Sequence, residues 1–272
     1  MTRTRTFVAA AAIMALGLPA LASADAPAGS NSGWSGNGQF GLAAASGNTK
    51  SLNVDAKLNL AFENDTWKDA FFLDDNQAKS NVVVNDTKDY ETTANHFDLG
   101  GSVGYKFNTR AYVVGAARYD RDDFAPNRWQ EVVSIGFGYI VLKDARNELS
   151  FEVGPGFKRY QPQTYTEVDD SVTPPLITSV TPASQSEAIG RALVNYKLAL
   201  TDSASLQETF LAEVGSENKY YQNDIGIAVS MTKALALKVA YENRYNSNIV
   251  PGTMHLDSLF TTNLVYSFGG SK

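Results

Sequence analysis

Hydrophobic and polar residues alternate one by one along many segments of this chain. Between Leu52 and Phe62 every second residue is apolar, and nearly every residue between them is polar. A period of two places the apolar side chains on one face of a β-strand and the polar side chains on the other. The pattern recurs about a dozen times, which is typical of a transmembrane β-barrel.

Twelve segments are therefore predicted as strands of an all-β, antiparallel up-and-down barrel, and an even number is usual for bacterial barrels of one chain. The predicted strands are 34–45, 52–62, 67–76, 96–107, 111–120, 130–142, 149–158, 188–200, 206–214, 221–231, 235–244 and 260–268. The register of the third strand stays open, because Phe71 and Phe72 are adjacent and acidic residues fall on both faces. The register of the ninth strand is also open.

The connections between the predicted strands alternate in length. The short ones lie near 64–65, 108–110, 143–147, 201–204 and 232–234, and the three longest are 77–90, 161–187 and 246–256. Short turns on one side and long loops on the other are expected of an outer-membrane barrel. With the N-terminus in the periplasm, the long loops are predicted to lie outside the cell.

The polar faces of the strands carry charges, and these decide which face points inward. A soluble barrel with its apolar face inward is the alternative, but it has about eight strands. On a lipid-facing surface a midplane Lys or Arg would cost roughly 2–4 kcal/mol. We therefore predict that the charged face lines the lumen, as a possible pore lining. The predicted lumen charges are Asp55, Lys57, Asp98, Arg118, Glu152, Lys158, Arg191, Lys197, Lys238, Glu242 and Arg244.

The N-terminus has the features of a secretory leader. Arg3 and Arg5 precede an apolar stretch at 7–21, and small residues at 22–24 offer a cleavage point. We predict a signal peptide at 1–24, a periplasmic lead-in at 25–32, the barrel at 33–268 and a tail at 269–272. Export through the inner membrane and a location in the outer membrane of a Gram-negative bacterium follow from this organisation.

The composition limits the partners of the chain. There is no cysteine, and once the leader is removed 21 basic residues stand against 29 acidic ones. A chain this acidic, without a basic cluster, argues against a nucleic-acid partner. The 13 tyrosines and 14 phenylalanines suit the aromatic belts at the two membrane surfaces. The expected partners are outer-membrane lipids and lipopolysaccharide around a monomer, with no cofactor.

The last predicted strand ends in an alternating segment with aromatic residues. Leu264, Tyr266 and Phe268 share one face of it. This segment resembles the assembly signal that the barrel-insertion machinery recognises, although residues 269–272 separate it from the C-terminus.

Four short motifs resemble one known family. They are Ser46-Gly47-Asn48-Thr49 after a glycine-rich first strand, 154–159 (GPGFKR), 187–191 at the start of the eighth strand, and 264–268 (LVYSF). In order and spacing they resemble the YdiY-like family of salt-induced outer-membrane proteins, a domain of unknown function, over about residues 33–268. The resemblance implies an outer-membrane barrel and brings no catalytic residues.

The chain offers little sequence evidence for catalysis or metal binding. His96 and His255 are expected to be solvated residues near strand ends, with no metal site. His96 and Ser102 lie six residues apart on one strand, about 20 Å at ~3.4 Å per residue, which is too far for a hydrogen bond. His255 lies close to Ser258, without an evident orienting partner. An enzyme, such as a lipid hydrolase, is therefore not expected.

Two acidic groups and one long loop remain open. Asp120, Asp122 and Asp123, with Asp169 and Asp170, could hold Ca²⁺ or Mg²⁺ at the outer rim, but solvated loop residues are the simpler expectation. The loop at 161–187 carries four prolines and could fold into the lumen or remain outside.

The lumen charges lead to two predicted functions. They could line a narrow water-filled pore, or they could pair across the lumen and close it. We predict a narrow channel or general envelope protein linked to salt or osmotic stress. A non-conducting structural barrel is the alternative, and a lipid hydrolase is the third possibility.

Overall fold

Fourteen β-strands form in the computed structural model, which describes residues 33–46, 50–84, 87–169, 171–251 and 253–269. The strands are β1 (Gly33–Ala45), β2 (Ser51–Glu63), β3 (Trp67–Val84), β4 (Thr87–Lys106), β5 (Ala111–Asp122), β6 (Asn127–Lys143), β7 (Asn147–Pro162), β8 (Tyr165–Asp169), β9 (Leu176–Val180), β10 (Gln185–Ala199), β11 (Ala204–Gly215), β12 (Lys219–Ser230), β13 (Leu235–Asn246) and β14 (Leu256–Gly269). The predicted leader, the lead-in and residues 270–272 of the predicted tail lie outside the described residues. None of the residues described forms a helix with the length and apolarity needed to span a membrane.

Twelve of these strands close into one antiparallel barrel, and β8 and β9 form a separate two-stranded sheet. Going round the wall, the order is β1, β14, β13, β12, β11, β10, β7, β6, β5, β4, β3 and β2. The barrel closes where β1 pairs with β14, for example Phe40 with Leu264. Closure satisfies the backbone N–H and C=O groups that open strand edges would leave unpaired in hydrocarbon. The predicted twelve-stranded up-and-down barrel is confirmed.

The exterior of the barrel is apolar, as the alternation predicts. Ile135, at the middle of β6, is 60 % exposed, and its neighbours Val133 and Phe137 on the same face are also exposed. Large apolar side chains in such numbers would be unfavourable in water. They suit contact with lipid acyl chains, so the barrel is a transmembrane barrel.

Aromatic side chains are grouped near the two ends of the barrel. At the end with the short turns, Trp67 contacts Tyr105 and Tyr266 contacts Phe268. At the other end, Tyr221 contacts Tyr245. Aromatic rings at two levels are typical of the two interfaces of a membrane.

The same small motif closes the five connections that were predicted as short turns, and the rim where they lie is called the turn end. A side-chain oxygen at the first turn residue accepts hydrogen bonds from the backbone N–H groups two and three residues later. In the turn after β4, Asn108 Oδ1 accepts from Arg110 and Ala111, each at 2.8 Å. The other first residues are Asn64, Asp144, Thr201 and Thr232. The opposite rim carries the other connections, among them the longest, and is called the loop end.

The predicted long loop at 77–90 is wrong. β3 continues to Val84 and β4 already begins at Thr87, with a register shift between Ala78 and Lys79. Beyond the membrane both faces of this hairpin meet water, and Val83 and Tyr90 are exposed. The alternation therefore disappears while the backbone ladder continues, which is why the pattern did not predict these strands.

The segment at 161–187 contains the β8–β9 hairpin, whose side chains are almost all exposed. Ile177 is 69 % exposed. The hairpin therefore does not pack among the buried side chains of the lumen, and the possibility that this loop folds into the lumen is not supported.

Candidate functional site

The lumen wall carries the predicted charges, and most of them are brought into contact with one another. Asp55, Asp98, Glu152, Lys158, Lys238 and Glu242 are buried. Lys197 belongs to the same face of β10 by register, but it is exposed and lies four residues from the turn after β10. The wall residues that contact one another across the lumen are named the lumen network. It consists of Lys57, Asp74, His96, Asp98, Arg118, Asp120, Asp122, Lys158, Glu213, Glu242 and Arg244.

Glycine in one strand leaves room for a large lumen side chain from the next. Tyr112 of β5 fills the space where a Cβ atom on Gly138 of β6 would lie. From there the Tyr112 hydroxyl donates to Glu152 Oε1 at 3.0 Å, and Arg191 Nη1 lies 3.3 Å from Glu152 Oε2. Glycine at alternate positions therefore allows a filled lumen rather than a wide one.

Arg118 of β5 is at the centre of the lumen network. Its Nη2 atom donates to Oε1 and Oε2 of Glu213 on β11, at 3.1 and 3.2 Å. Its Nη1 atom lies 3.5 Å from Asp98 Oδ2 on the neighbouring strand β4. Three strands separate β5 from β11 round the wall, so this contact crosses the lumen.

Arg244 of β13 joins opposite walls. Its Nη1 atom lies 3.5 Å from Asp122 Oδ2 on β5, and its Nη2 atom lies 3.1 Å from His96 Nδ1 on β4. Five strands separate β13 from β5 in either direction. The Arg244–Asp122 pair therefore spans the full width of the barrel.

Lys57 of β2 continues the lumen network on another side. Its Nζ atom lies 2.7 Å from Asp74 Oδ2 on β3 and 3.3 Å from Glu242 Oε2 on β13. Glu242 Oε1 in turn accepts a 2.5 Å hydrogen bond from Arg244 Nε. Glu242 thus links the two cations, and the contacts run without a break from β2 to β13.

Lys158 of β7 is the most enclosed cation of the lumen network, with 0 % of its surface exposed. Its Nζ atom lies 3.6 Å from Glu213 Oε2 and 5.3 Å from the centre of the Tyr220 ring. Arg118 also faces the Tyr220 ring, at 5.1 Å. The face of a tyrosine ring favours nearby cations, so Tyr220 helps to hold two positive charges beside one carboxylate.

His96 is buried in the lumen, and the prediction that it is a solvated strand-end residue is wrong. Its Nε2 atom lies 3.2 Å from Asp120 Oδ2, on the side opposite to Arg244. Since arginine can only donate, His96 Nδ1 must accept from Arg244, and Nε2 then carries the proton that is donated to Asp120. The imidazole ring is thus a neutral link between Arg244 and Asp120.

Asp120 and Asp122 do not belong to a solvated acidic loop, in contrast to the expectation from sequence. Both project from β5 into the lumen, and Asp120 is 5 % exposed. Asp123 follows the end of β5 and pairs with Arg121 outside the lumen. Asp122, the last residue of β5, still projects inward, whereas Asp123 already belongs to the connection that follows.

Sequence reasoning missed several members of the lumen network. Glu213 lies on β11 and Asp74 on β3, the two strands whose register was left open. Phe210 and Val214 are exposed on the other face of β11, and together they are the signal that could have assigned Glu213 to the lumen. The lumen also contains a small apolar cluster of Tyr112, Val114 and Ile140, which strict alternation of polar and apolar faces did not predict.

His96, Asp98 and Asp120 lie close enough together to hold a metal ion. The surroundings oppose this, because Arg118 already faces both carboxylates and the proton on His96 Nε2 blocks the lone pair nearest to them. The three residues are better described as part of the ionic contacts.

The structure does not bring the suspected catalytic pair together. His255 Nδ1 lies 2.7 Å from the Asn246 carbonyl oxygen, and Ser258 Oγ donates to Asn243 Oδ1 at 2.7 Å. Ser258 is thereby oriented toward Asn243 rather than toward a histidine base. A hydrolase would need a nucleophile activated by an adjacent base.

Several buried lumen atoms lack a hydrogen-bond partner among the described residues. They include Asp98 Oδ1, Arg118 Nε, Lys158 Nζ and Gln130 Oε1. A buried polar atom without a partner costs ~1–3 kcal/mol. The lumen network is therefore strongly charged and not fully satisfied by hydrogen bonds among the described residues.

The chain matches one protein-family model and is similar to several known proteins. The family model described as "Protein of unknown function, DUF481" matches residues 38–268. The "Uncharacterized protein YdiY" of Escherichia coli (strain K12) is 27 % identical over 244 residues, which cover 89 % of this chain and 86 % of that protein.

Among solved structures, the translocator domain of the autotransporter NalP from Neisseria meningitidis has a TM-score of 0.44 at 12 % identity and covers 87 % of each chain. An outer membrane channel from Pseudomonas putida F1 has a TM-score of 0.45 at 11 % identity, over 89 % of this chain and 96 % of that one. Both likenesses are distant, and the function has to be argued from the lumen itself.

Proposed function

This chain belongs to the DUF481 family of proteins of unknown function, and we therefore propose a function from the contacts in its own lumen. The protein is an outer-membrane barrel of the Gram-negative envelope, and the lumen network keeps this barrel closed. It acts as a monomer among outer-membrane lipids and lipopolysaccharide, after export and assembly by the barrel-insertion machinery. Its contribution to the envelope is mechanical and electrostatic rather than the passage of solutes.

One observation carries this proposal. Arg244 and Asp122 approach to 3.5 Å from strands on opposite sides of the barrel. Barrels of 16–18 strands leave a water-filled channel, whereas eight-stranded barrels are filled by side chains. Direct contact between opposite walls supports grouping this twelve-stranded barrel with the filled ones.

Single-channel recording in planar bilayers tests the proposal. We expect the refolded protein to give no steady current at low voltage. A variant with Arg118→Ala and Arg244→Ala, shown to be folded by circular dichroism and heat-modifiable migration, is expected to give discrete conductance steps. Lys143→Ala, at the exposed turn end, is the matched control and should stay silent.

Two outcomes contradict the proposal. Steady conductance steps from the unmodified protein would show that the lumen is open. A folded but silent double variant would show that something other than Arg118 and Arg244 closes it.

A narrow ion channel is the second candidate, and the unsatisfied atoms of the lumen network favour it. Asp98 Oδ1 and Lys158 Nζ have no hydrogen-bond partner in the part of the chain that the structure describes, so this closed arrangement is not fully stabilised. A modest change of voltage or salt could then favour a second arrangement of the same side chains. Current that appears only above a threshold voltage would support this alternative.

The link to salt or osmotic stress rests on the family resemblance and has its own test. Deletion of the gene is expected to change growth at high salt without changing the uptake of small solutes. Reduced uptake with unchanged salt tolerance would contradict a structural role.

A further inference from the structure

A small cavity lies at the loop end of the lumen, next to the outermost members of the lumen network. Its volume is about 10 Å³, and Asp120, Asp122 and Asp257 contribute carboxylates to its lining. The side-chain amides of Asn127 and Gln130 line it as well. A cavity of this size holds about one water-sized particle, so its occupant would be a single small species.

Gln130 gives an independent indication that this cavity has a ligand. The residue is 4 % exposed, and its Oε1 atom has no hydrogen-bond partner among the described residues. Its side chain projects from β6 into the lumen and lines the cavity. A buried acceptor without a donor is unfavourable. A bound species that accepts an electron pair from Oε1, such as a cation, would satisfy this atom.

The charges around the cavity favour a cation. Arg244 itself lines the cavity, but its three donor nitrogens face Glu242, Asp122 and His96. No described residue forms an ion pair with Asp257, although that residue is opposite Arg244 in the β13–β14 ladder. The carboxylates at this end of the lumen therefore outnumber the cations that neutralise them.

The donor set selects among cations. The cavity offers carboxylate and amide oxygens, which suit hard cations. Mg²⁺ demands near-ideal octahedral geometry and gives up its waters reluctantly, and this irregular lining of amides and carboxylates does not provide such a geometry. Ca²⁺ accepts direct protein oxygens in flexible geometry.

We propose that this cavity binds one Ca²⁺ ion through Asp257, Gln130 Oε1 and Asp122. Asp122 Oδ1 also accepts from the backbone N–H groups of Phe124 and Ala125, and its Oδ2 faces Arg244, so the ion shares this carboxylate, and water at the open mouth completes its coordination. Asp257 is exposed at the mouth of the lumen, so the ion enters from the loop end. The site ties β5, β6 and β14 together at that rim. The proposal goes beyond the closed-barrel function and does not depend on whether the lumen conducts.

Calcium titration of the purified barrel tests the site. The protein is refolded in detergent without lipopolysaccharide, so that phosphate groups do not contribute, and the titration uses CaCl₂ alone at constant ionic strength. Calorimetry should give saturable binding of one Ca²⁺ per chain, with at least tenfold weaker binding of Mg²⁺. The unfolding temperature should rise with Ca²⁺ in parallel.

Matched variants locate the site. Asp257→Asn, an isosteric change at an exposed residue, and Gln130→Met should each weaken Ca²⁺ binding at least tenfold. Asp144→Asn, a carboxylate in a turn at the opposite end, should bind like the unmodified protein. Absence of saturable binding, equal affinity for Mg²⁺, or unchanged affinity in folded Asp257→Asn would each overturn the proposal.

Discussion

Arg118 and Arg244 keep only 9 % and 14 % of their side-chain surface exposed, and their partners come from several strands. Removing one partner of a buried ion pair leaves an uncompensated charge and typically costs ~3–5 kcal/mol. Glu213, with 1 % of its surface exposed, is held by Arg118 and Lys158 together. Single residues in this lumen therefore contribute more to stability than exposed ion pairs, which contribute ~0–1 kcal/mol.

Neighbouring residues of β11 test which face of the strand meets lipid. Phe210 lies on the exterior and Thr209 on the lumen side, where it is also exposed and hydrogen-bonded to Asn195. We expect Phe210→Arg to lower the free energy of unfolding in phospholipid vesicles by ~2–4 kcal/mol, because a cation near the midplane is costly. Thr209→Arg should cost less than ~1 kcal/mol, since its charge reaches the polar lumen. Phe210→Leu controls for loss of the ring, and equal costs for the two arginine variants would contradict the register of β11.

Lumen residues could be predicted from sequence only on strands where apolar and polar positions alternate clearly. On β2, Asp55 and Lys57 were assigned to the lumen because Val54, Ala56 and Leu58 flank them. On β3 the adjacent Phe71 and Phe72 hid the register, because Phe72 occupies the lumen opposite Gly100, whose missing side chain leaves it room. An inward aromatic ring beside an outward one cannot be recognised from one strand alone.

The strands are stabilised at their turn ends by a repeated hydrogen-bond motif. Five connections begin with Asn, Asp or Thr, and in each the side chain fixes the next backbone N–H groups. These short turns were predicted from sequence because such residues have a local mechanism. The hairpin tip at 79–91 was not predicted, since its strands are held by backbone bonds that leave no side-chain period.

Asn108 provides a test of the turn motif. Asn108→Ala removes the acceptor for two backbone N–H groups, so we expect a loss of ~1 kcal/mol in the free energy of unfolding. Asn108→Asp keeps an acceptor and should retain most of this stability. The denaturant midpoint of the refolded protein measures both variants. A loss as large in Asn108→Asp as in Asn108→Ala would contradict the hydrogen-bond explanation.

In the turn that begins at Asp144, the same motif makes the stability of the fold depend on pH. The backbone N–H groups of Arg146 and Asn147 donate to its Oδ1 atom and lower the pKa of Asp144 below its ordinary value. A carboxyl group with a lowered folded-state pKa stabilises the fold above its unfolded pKa and loses that contribution as pH falls through the folded value. NMR titration should show this lowered pKa, and an ordinary pKa would contradict the turn geometry.

The β8–β9 hairpin tests whether a loop or the wall closes the lumen. The hairpin spans Tyr165–Asp169 and Leu176–Val180, pairs only within itself and exposes nearly all of its side chains. Replacing residues 165–180 with a short Gly-Ser linker should leave folding and bilayer silence unchanged. Conductance that appears only after this deletion would show that the hairpin closes the barrel.

For the whole molecule, the central feature is a barrel whose opposite walls touch. Arg244 and Asp122 are 122 positions apart in the sequence and face each other across the lumen. Sequence periodicity assigned Arg244 to the lumen. The periodicity could not show that Arg244 pairs with Asp122, because that pairing depends on the diameter of the closed barrel and the stagger of its strands. The two functions predicted from sequence, an open pore and a closed barrel, differ in this pairing alone.

A double-mutant cycle between Arg118 and Glu213 tests the contact across the lumen most directly. The free energy of unfolding is measured in phospholipid vesicles for Arg118→Met, Glu213→Gln and both together. Arg118→Met with Glu208→Gln is the control cycle, since Glu208 lies on the outer face of the same strand. If the walls touch, the double variant should lose at least ~1 kcal/mol less unfolding free energy than the two single variants lose together. The losses of the control pair should be additive within ~0.5 kcal/mol. Additivity of Arg118→Met and Glu213→Gln within that same limit would contradict a closed lumen.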